Sequence, residues 1–172
     1  MSHTDFVALN IAVLTVSDTR TESNDSSGQA LIARLEEAGH TLHEKRIVKD
    51  DIYQIRAACS NWIANADVNV ILITGGTGFA GRDSTPEAVT PLLDKEITGF
   101  GELFRQVSYT EIGCSTMQSR AMAGLANSTL LFCLPGSTNA CNTGWQVLEN
   151  QLDARHKPCN FVALLQQKKS GR

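Results

Sequence analysis

Three groups of residues in this chain have the types and spacing for chemistry on a phosphorylated ligand. The first is Gly75-Gly76-Thr77-Gly78, with a further Gly81. Four glycines in seven residues let the backbone take positive φ and approach a ligand with no Cβ in the way. Arg82-Asp83 follows, and then Ser84-Thr85-Pro86-Glu87. That run reads as a helix start: Ser84 and Glu87 have capping-box spacing, and Pro is tolerated in a first turn. A glycine loop that enters a helix N-terminus is a ready anion site, because free N–H groups and the positive end of the helix dipole converge there. The second group is Pro135-Gly136-Ser137-Thr138-Asn139, a further glycine loop ahead of a helix. The third is a set of aspartates at predicted loop positions: Asp18, Asp25, Asp50, Asp51 and Asp83. Carboxylates beside phosphate repel it. A Mg²⁺ ion bound through one or two carboxylates plus phosphate oxygens resolves the conflict.

Residues 76–81 match G-x-G-x-x-G letter for letter. The dinucleotide fingerprint also requires a βαβ unit with an acidic residue about 20 residues on, at the end of the next strand. The following stretch, TPEAVTPLLDKEITGFGELF, offers no second strand in that window. The loop therefore reads as a phosphate or pterin site rather than a dinucleotide site, with a purely structural glycine turn as the plain alternative.

The elements that must position these residues are legible from apolar runs. Residues 9–16, 68–74 and 129–134 are short runs rich in Val, Ile and Leu, as expected of strands buried on both faces. Residues 41–48 alternate loosely and read as another strand. Ser26 or Ser27 can cap a helix with Ala30, Leu31, Leu35 and Ala38 on one face, and Gly39 can close it. Asp50 or Asp51 can cap a second helix that buries Ile52, Ile55, Cys59, Trp62 and Ile63. Further helices are expected over 101–109, 115–124 and from the Pro-Gly-Ser loop to about 152, broken by Pro91, Gly99 and Gly101. Residues 161–165 read as a final edge element. Strands separated by helices predict an α/β fold, a mostly parallel sheet with helices on both faces. Ligands bind such sheets beyond the C-terminal ends of the strands, and that is where all three groups fall.

Composition narrows the class. The 172 residues fit one domain, with a core of about 9–165. A net charge of −3 offers no basic field for nucleic acid. The only basic run, Lys168-Lys169 with Arg172, reads as a solvated tail. No apolar run approaches the ~20 residues of a membrane span. The N-terminus lacks the basic-then-apolar pattern of a secretory signal, so a cytoplasmic protein is expected. Five cysteines without C-x-x-C spacing, and four scattered histidines, give no support to a zinc site; reduced thiols are expected.

Taken together, TGGTG with Arg82-Asp83 and Thr85-Pro86-Glu87, Ser17-Asp18 after the first strand, Ser119-Arg120 and Pro135-Gly136-Ser137 resemble the molybdopterin-binding MoaB/Mog family. The resemblance runs from about residue 10 to 161. It implies a three-layer sandwich assembled as a homotrimer or a dimer of trimers. It implies a molybdopterin ligand, a pterin carrying a dithiolene and a terminal phosphate. In active relatives AMP passes from Mg-ATP to that phosphate and pyrophosphate leaves. Two aspartates matter in those relatives, and they correspond here to Asp50 and Asp83, as catalytic residues and Mg²⁺ ligands. Gly75, Gly76, Thr77 and Gly78, with Pro135, Gly136 and Ser137, would hold the pterin and its phosphate. Arg82 either stabilises charge there or forms a surface salt bridge. Ser17, Asp18 and Asp25 are secondary site residues, and Asp51 is a helix cap.

Two departures bear on activity. The family's last loop usually carries a Lys shortly after Pro-Gly, where this chain has Asn139. Relatives with a similar QLDARHKPCNF-like ending often have a degraded Arg-Asp pair and do not adenylylate, whereas this chain keeps Arg82 and Asp83. Three functions are therefore carried forward: a molybdopterin adenylyltransferase, a binding protein for molybdopterin or a precursor, and an unrelated phosphate-ligand enzyme on a similar sheet.

Overall fold

Runs of Val, Ile and Leu build the middle of the sheet. In a computed structural model, which describes residues 5–166, β1 (Asn10–Val16), β3 (Val70–Thr74) and β6 (Thr129–Leu134) are buried along almost their whole length. The more polar β2 (Thr41–Val48) forms one edge. The strand order is β2-β1-β3-β6-β5-β4. The first four of these run parallel. β5 (Met122–Ala126) pairs antiparallel with β6, and the two-residue β4 (Lys95–Glu96) pairs antiparallel with β5.

Side chains alternate across each strand. Ile11 and Val13 of β1 face a cluster with Leu31 and Leu35 of α1 (Ser26–Glu37), Phe100 and Phe104 of α4 (Thr98–Ile112) and Trp145 of α5 (Thr138–Leu148). Ala12, Leu14 and Val16 face the opposite cluster with Ile55, Cys59 and Trp62 of α2 (Ile52–Ala64) and Ala88 and Val89 of α3 (Thr85–Val89). The result is the expected α/β sandwich of three layers. β1 has β2 on one side and β3 on the other, and the helices that make these two connections lie on opposite faces. Such a reversal opens a crevice at the C-terminal ends of β1 and β3.

Local structure differs from expectation in six places. The cap of α1 is Asp25, not Ser26 or Ser27: its Oδ1 accepts from the Gly28 N–H at 3.0 Å. Asp25 is buried, and its Oδ2 accepts from Thr15 Oγ1 at 2.7 Å and lies 3.0 Å from Lys45 Nζ. No serine hydroxyl could satisfy those donors. The Ser84–Glu87 capping box does not form, because Ser84 Oγ donates to Asp50 and Glu87 pairs with Arg120. α4 runs through Gly99 and Gly101. A Cβ on Gly101 would lie 2.6 Å from the Ala121 carbonyl oxygen, so that glycine serves close packing rather than a break. Residues 115–124 are not a helix: a 3₁₀ segment, Gly113–Gln118, leads into β5. Asn127 and Ser128, both at positive φ, then make the two-residue hairpin to β6. Residues 161–165 fall in a short helix, α6 (Val162–Gln166), rather than a sheet edge. The window thought to lack a strand contains β4, but that strand is two residues long and antiparallel, so it completes no dinucleotide unit.

Other features agree. Gly39 takes φ +89 and ends α1 in a Schellman turn, with the His40 N–H donating to the Leu35 carbonyl. Asp51 caps α2 by accepting from the Tyr53 and Gln54 N–H groups. Cys59 and Cys133 are core residues, and burial pushes the Cys59 thiol up to about 12. The basic run at 168–172 lies outside the described residues. No helix among those described is long and apolar enough to cross a membrane.

Burial works against the charge of Asp25, but hydrogen bonds from Thr15, Lys45 and the Gly28 N–H overcome it and hold the carboxyl below its ordinary 3.8. Asp25→Ala should cost about 3 kcal/mol of folding free energy by urea denaturation, since it strands Lys45 and Thr15. In the wild type, this carboxylate's contribution is complete above pH 3.8. It is lost as pH falls through the lower folded value. Stability curves of wild type and mutant should therefore converge on acidification.

Candidate functional site

The crevice is a cavity of about 530 Å³. Ser17, Asp18, Asp50, Gly75, Gly76, Thr77, Gly78, Arg82, Asp83, Pro135, Gly136 and Ser137 all line it. Motif and family resemblance together mark these residues, and the strand order brings them together. Asp25 lies beneath this surface as a buried structural carboxylate and is not a ligand contact.

The glycine loop is held against the end of β1. Gly75 has φ +102, and a Cβ on it would sit 2.1 Å from the Val16 carbonyl oxygen. The Gly75 N–H donates to the Leu134 carbonyl, and its own carbonyl accepts from Thr85 Oγ1 at 2.8 Å. Thr74 Oγ1 donates to the Pro135 carbonyl at 3.0 Å, which ties the two glycine loops together. Ser137 caps α5 by accepting from the Ala140 N–H at 3.1 Å. The N–H groups of Gly136, Ser137, Thr138 and Asn139 find no acceptor among the described residues. The same is true of Gly76, Thr77 and Gly78. Two sets of open donors thus border one cavity.

The aspartates reach the glycine loop from two sides. Asp50 follows β2, and its Oδ1 accepts from both the Ser84 N–H (3.0 Å) and Ser84 Oγ (2.5 Å). Its Oδ2 lies against Gly76, 2.8 Å from where a Cβ would be. Asp83 Oδ2 accepts from the Ala80 N–H at 2.7 Å and lies 2.7 Å from the corresponding point on Gly78. Asp50 Oδ2 and Asp83 Oδ1 accept no hydrogen bond among the described residues. Asp18 bridges the two loops: it accepts from the Asp50 N–H at 3.2 Å and lies 3.2 Å from Arg82 Nε. Arg82 Nη2 also donates to the Asp50 carbonyl at 3.2 Å. Its charge is thus neither a lone surface feature nor free in the cavity. Ser17 Oγ accepts from the Thr19 and Arg20 N–H groups and shapes the turn after β1.

Asp18, Asp50 and Asp83 line the cavity with two guanidiniums, Arg20 and Arg82. A phosphate would meet net negative charge there unless a divalent cation came with it. The open oxygens of Asp50 and Asp83 suit such an ion, as a hard cation with phosphate oxygens and water in its remaining positions. Among the described residues no group of three or more His, Cys, Asp or Glu could cage a metal.

Two contributors were not assigned from sequence. Ser84 was read only as a cap, although it orients Asp50. Arg120, from the Ser-Arg pair, braces the glycine loop from behind. Only its place in the motif hinted at this. Asn139 donates to Glu111 Oε2 at 3.1 Å, and Thr143 Oγ1 donates to the same carboxylate.

The family model described as a probable molybdopterin binding domain matches residues 12–154. The chain belongs to this molybdopterin-binding family. It is 55% identical over 159 residues to molybdenum cofactor biosynthesis protein B of Escherichia coli (strain K12), covering 92% of this chain and 94% of that protein. A crystal structure of a molybdenum cofactor biosynthesis protein B superposes with TM-score 0.85 at 41% identity, covering 95% of this chain and 98% of the other. The tungsten cofactor synthesizing protein MoaB from Pyrococcus furiosus superposes with TM-score 0.78 at 36% identity, covering 84% and 92%. The matched residues include both glycine loops and the residues that line the cavity between them.

Gly75→Ala tests the tightest point of this domain. Positive φ and the Val16 carbonyl both oppose a side chain there. The variant should lose about 3 kcal/mol or more in urea denaturation, whereas Gly81→Ala, which meets nothing within 4 Å, should stay within about 0.5 kcal/mol.

Proposed function

We propose that this protein binds molybdopterin in the crevice at the ends of β1, β3 and β6 and adenylylates its terminal phosphate with Mg-ATP. The observation that carries the reading is the pair Asp50 and Asp83. Both press on one glycine loop, and each keeps one carboxylate oxygen free of hydrogen bonds. Open N–H groups of that loop and of the α5 N-terminus border the same cavity. A phosphate oxygen of molybdopterin attacks the α-phosphorus of ATP. The new P–O bond forms as the bond to the β-bridging oxygen breaks, and pyrophosphate leaves with that electron pair. No proton has to move, because the acceptor phosphate is already an anion. Asp50 and Asp83 would hold a Mg²⁺ that arrives with ATP, and the ion would supply charge neutralisation on the phosphates. The loop N–H groups fix the acceptor phosphate for in-line attack. The reading includes a cytoplasmic location and a homotrimer or dimer of trimers.

One observation favours a second reading, binding of molybdopterin or a precursor without adenylylation. The first turn of α5 carries Asn139 rather than a cation, and its amide is engaged by the Glu111 carboxylate. A phosphate at this end would gain backbone donors but no side-chain charge.

Pyrophosphate release from Mg-ATP, with and without molybdopterin, separates the two. Adenylylation predicts pterin-dependent release that falls on the order of 10²-fold or more in Asp83→Ala, with molybdopterin binding within a few-fold of wild type. Binding without release in the wild type supports the second reading. Asn139→Lys should then raise molybdopterin affinity.

A further inference from the structure

The sequence singled out Ser119-Arg120, and the proposed chemistry leaves Arg120 without a role. Its contacts give it one. The Arg120 N–H donates to the Thr77 carbonyl at 3.0 Å. Its Nε donates to the Gly78 carbonyl at 2.9 Å and its Nη2 to the Asp83 carbonyl at 2.7 Å. Its Nη1 pairs with Glu87, and the Phe79 ring lies over the guanidinium, 5.2 Å from centroid to Cζ. Every nitrogen of the guanidinium is thus committed, and two of them hold the glycine loop. The backbone that carries Arg120 is itself held: Arg105 Nη1 donates to the Ala121 carbonyl at 3.0 Å, and the Ser119 carbonyl is 3.4 Å from the same atom.

A trans peptide is planar, so the carbonyl of one residue and the N–H of the next point in opposite directions. Drawing the Thr77 and Gly78 carbonyls toward Arg120 therefore turns the N–H groups of Gly78 and Phe79 away from it. In the same way the Gly76 carbonyl accepts from the Thr85 N–H at 3.0 Å, which turns out the Thr77 N–H. Thr77 and Gly78 line the cavity, and Arg120 does not. The Asp83 carbonyl belongs to the peptide whose N–H, that of Ser84, donates to Asp50 Oδ1 at 3.0 Å. One end of that plane is fixed by Arg120 and the other by Asp50.

We infer that Arg120 is the positioning residue of this site: by holding the Thr77, Gly78 and Asp83 carbonyls from behind, it aims the loop N–H groups at a ligand phosphate and sets the orientation of Asp50. It touches no ligand itself. The inference rests on the molybdopterin and nucleotide reading for the identity of the phosphate, but not for the orientation of the loop. A lysine could supply charge but not a planar fork able to meet two carbonyls and a carboxylate at once.

The test uses the full chain with Arg120→Ala, Arg120→Lys and Glu87→Gln, and two readouts. The first is amide hydrogen exchange on the ligand-free protein. Protection of Ser84 and Thr85 should fall at least tenfold in Arg120→Ala, with residues 70–74 unchanged. The second is affinity for molybdopterin and, separately, for Mg-ATP. Molybdopterin affinity should fall at least tenfold in Arg120→Ala and at least fivefold in Arg120→Lys, with a smaller loss in Glu87→Gln. Wild-type affinity in Arg120→Lys would overturn the inference, as would an exchange change spread evenly over the chain. If Arg120→Ala does not fold, unchanged affinity in both other variants overturns it. If the wild type binds neither ligand, the proposed function fails, and the exchange at Ser84 and Thr85 still decides the positioning role: a tenfold rise supports it and no change overturns it.

Discussion

The helices that follow β1 and β2 pack on opposite faces of the sheet, and the rest of the molecule depends on the gap this leaves between β1 and β3. A parallel sheet covered on both faces has only the ends of its strands free for a ligand. At this one place no connecting helix closes over those ends. Loops from β1, β2, β3 and β6 meet there, and each brings what its local sequence allows: a turn with Asp18, a cap preceded by Asp50, and two glycine loops. Glycine is needed at 75 and 76 because the Val16 carbonyl, Thr85 and Asp50 leave no room for a Cβ there.

The carboxylates near the crevice divide by how fully they are satisfied. Asp25 has a hydroxyl, an N–H and an ammonium, and lies under the floor. It braces β1, α1 and β2. Asp18 is spent on linking two loops. Asp50 and Asp83 are each half satisfied, and both lie on the glycine loop. A carboxylate oxygen without a donor at the mouth of a cavity is what a ligand-borne cation requires, whereas one with all its donors belongs to the framework. In this molecule the difference between scaffold and site is a difference in hydrogen-bond saturation.

Much of this was readable in the chain. β1, β3 and β6 declare themselves because strands buried on both faces have almost no polar interruption, and the edge strand β2 shows only a loose alternation. The motif residues that line the cavity sit at the ends of those strands. Less was readable where tertiary contact overrides local preference. Gly99 and Gly101 read as breaks, but packing against Ala121 keeps α4 whole. β5 was missed because Met122-Ala123-Gly124-Leu125-Ala126 has weak strand propensity. Its hairpin turn is Asn127-Ser128 rather than the stronger Asn-Gly signal. The α1 cap reads differently in sequence and structure because a serine and an aspartate look equally suited until burial and a lysine distant in sequence choose between them. Arg120 stands in the sequence only as part of a motif with no role of its own, because the loop atoms it holds are carbonyl oxygens, which carry no sequence signature.

The hydrogen bond from Thr74 to the Pro135 carbonyl carries a thermodynamic consequence. It joins the last residue of β3 to the first residue of the second loop, and the Gly75 N–H to Leu134 doubles the link. Neither loop can shift alone without breaking a contact in the buried end of the sheet. A ligand that settles on one loop therefore alters the stiffness of the other. Two ligands held on the two loops would be linked, and linkage is reciprocal: the factor by which the first changed the affinity of the second would equal the factor in the reverse direction. The two loops and the end of the sheet behind them are in this sense one mechanical unit.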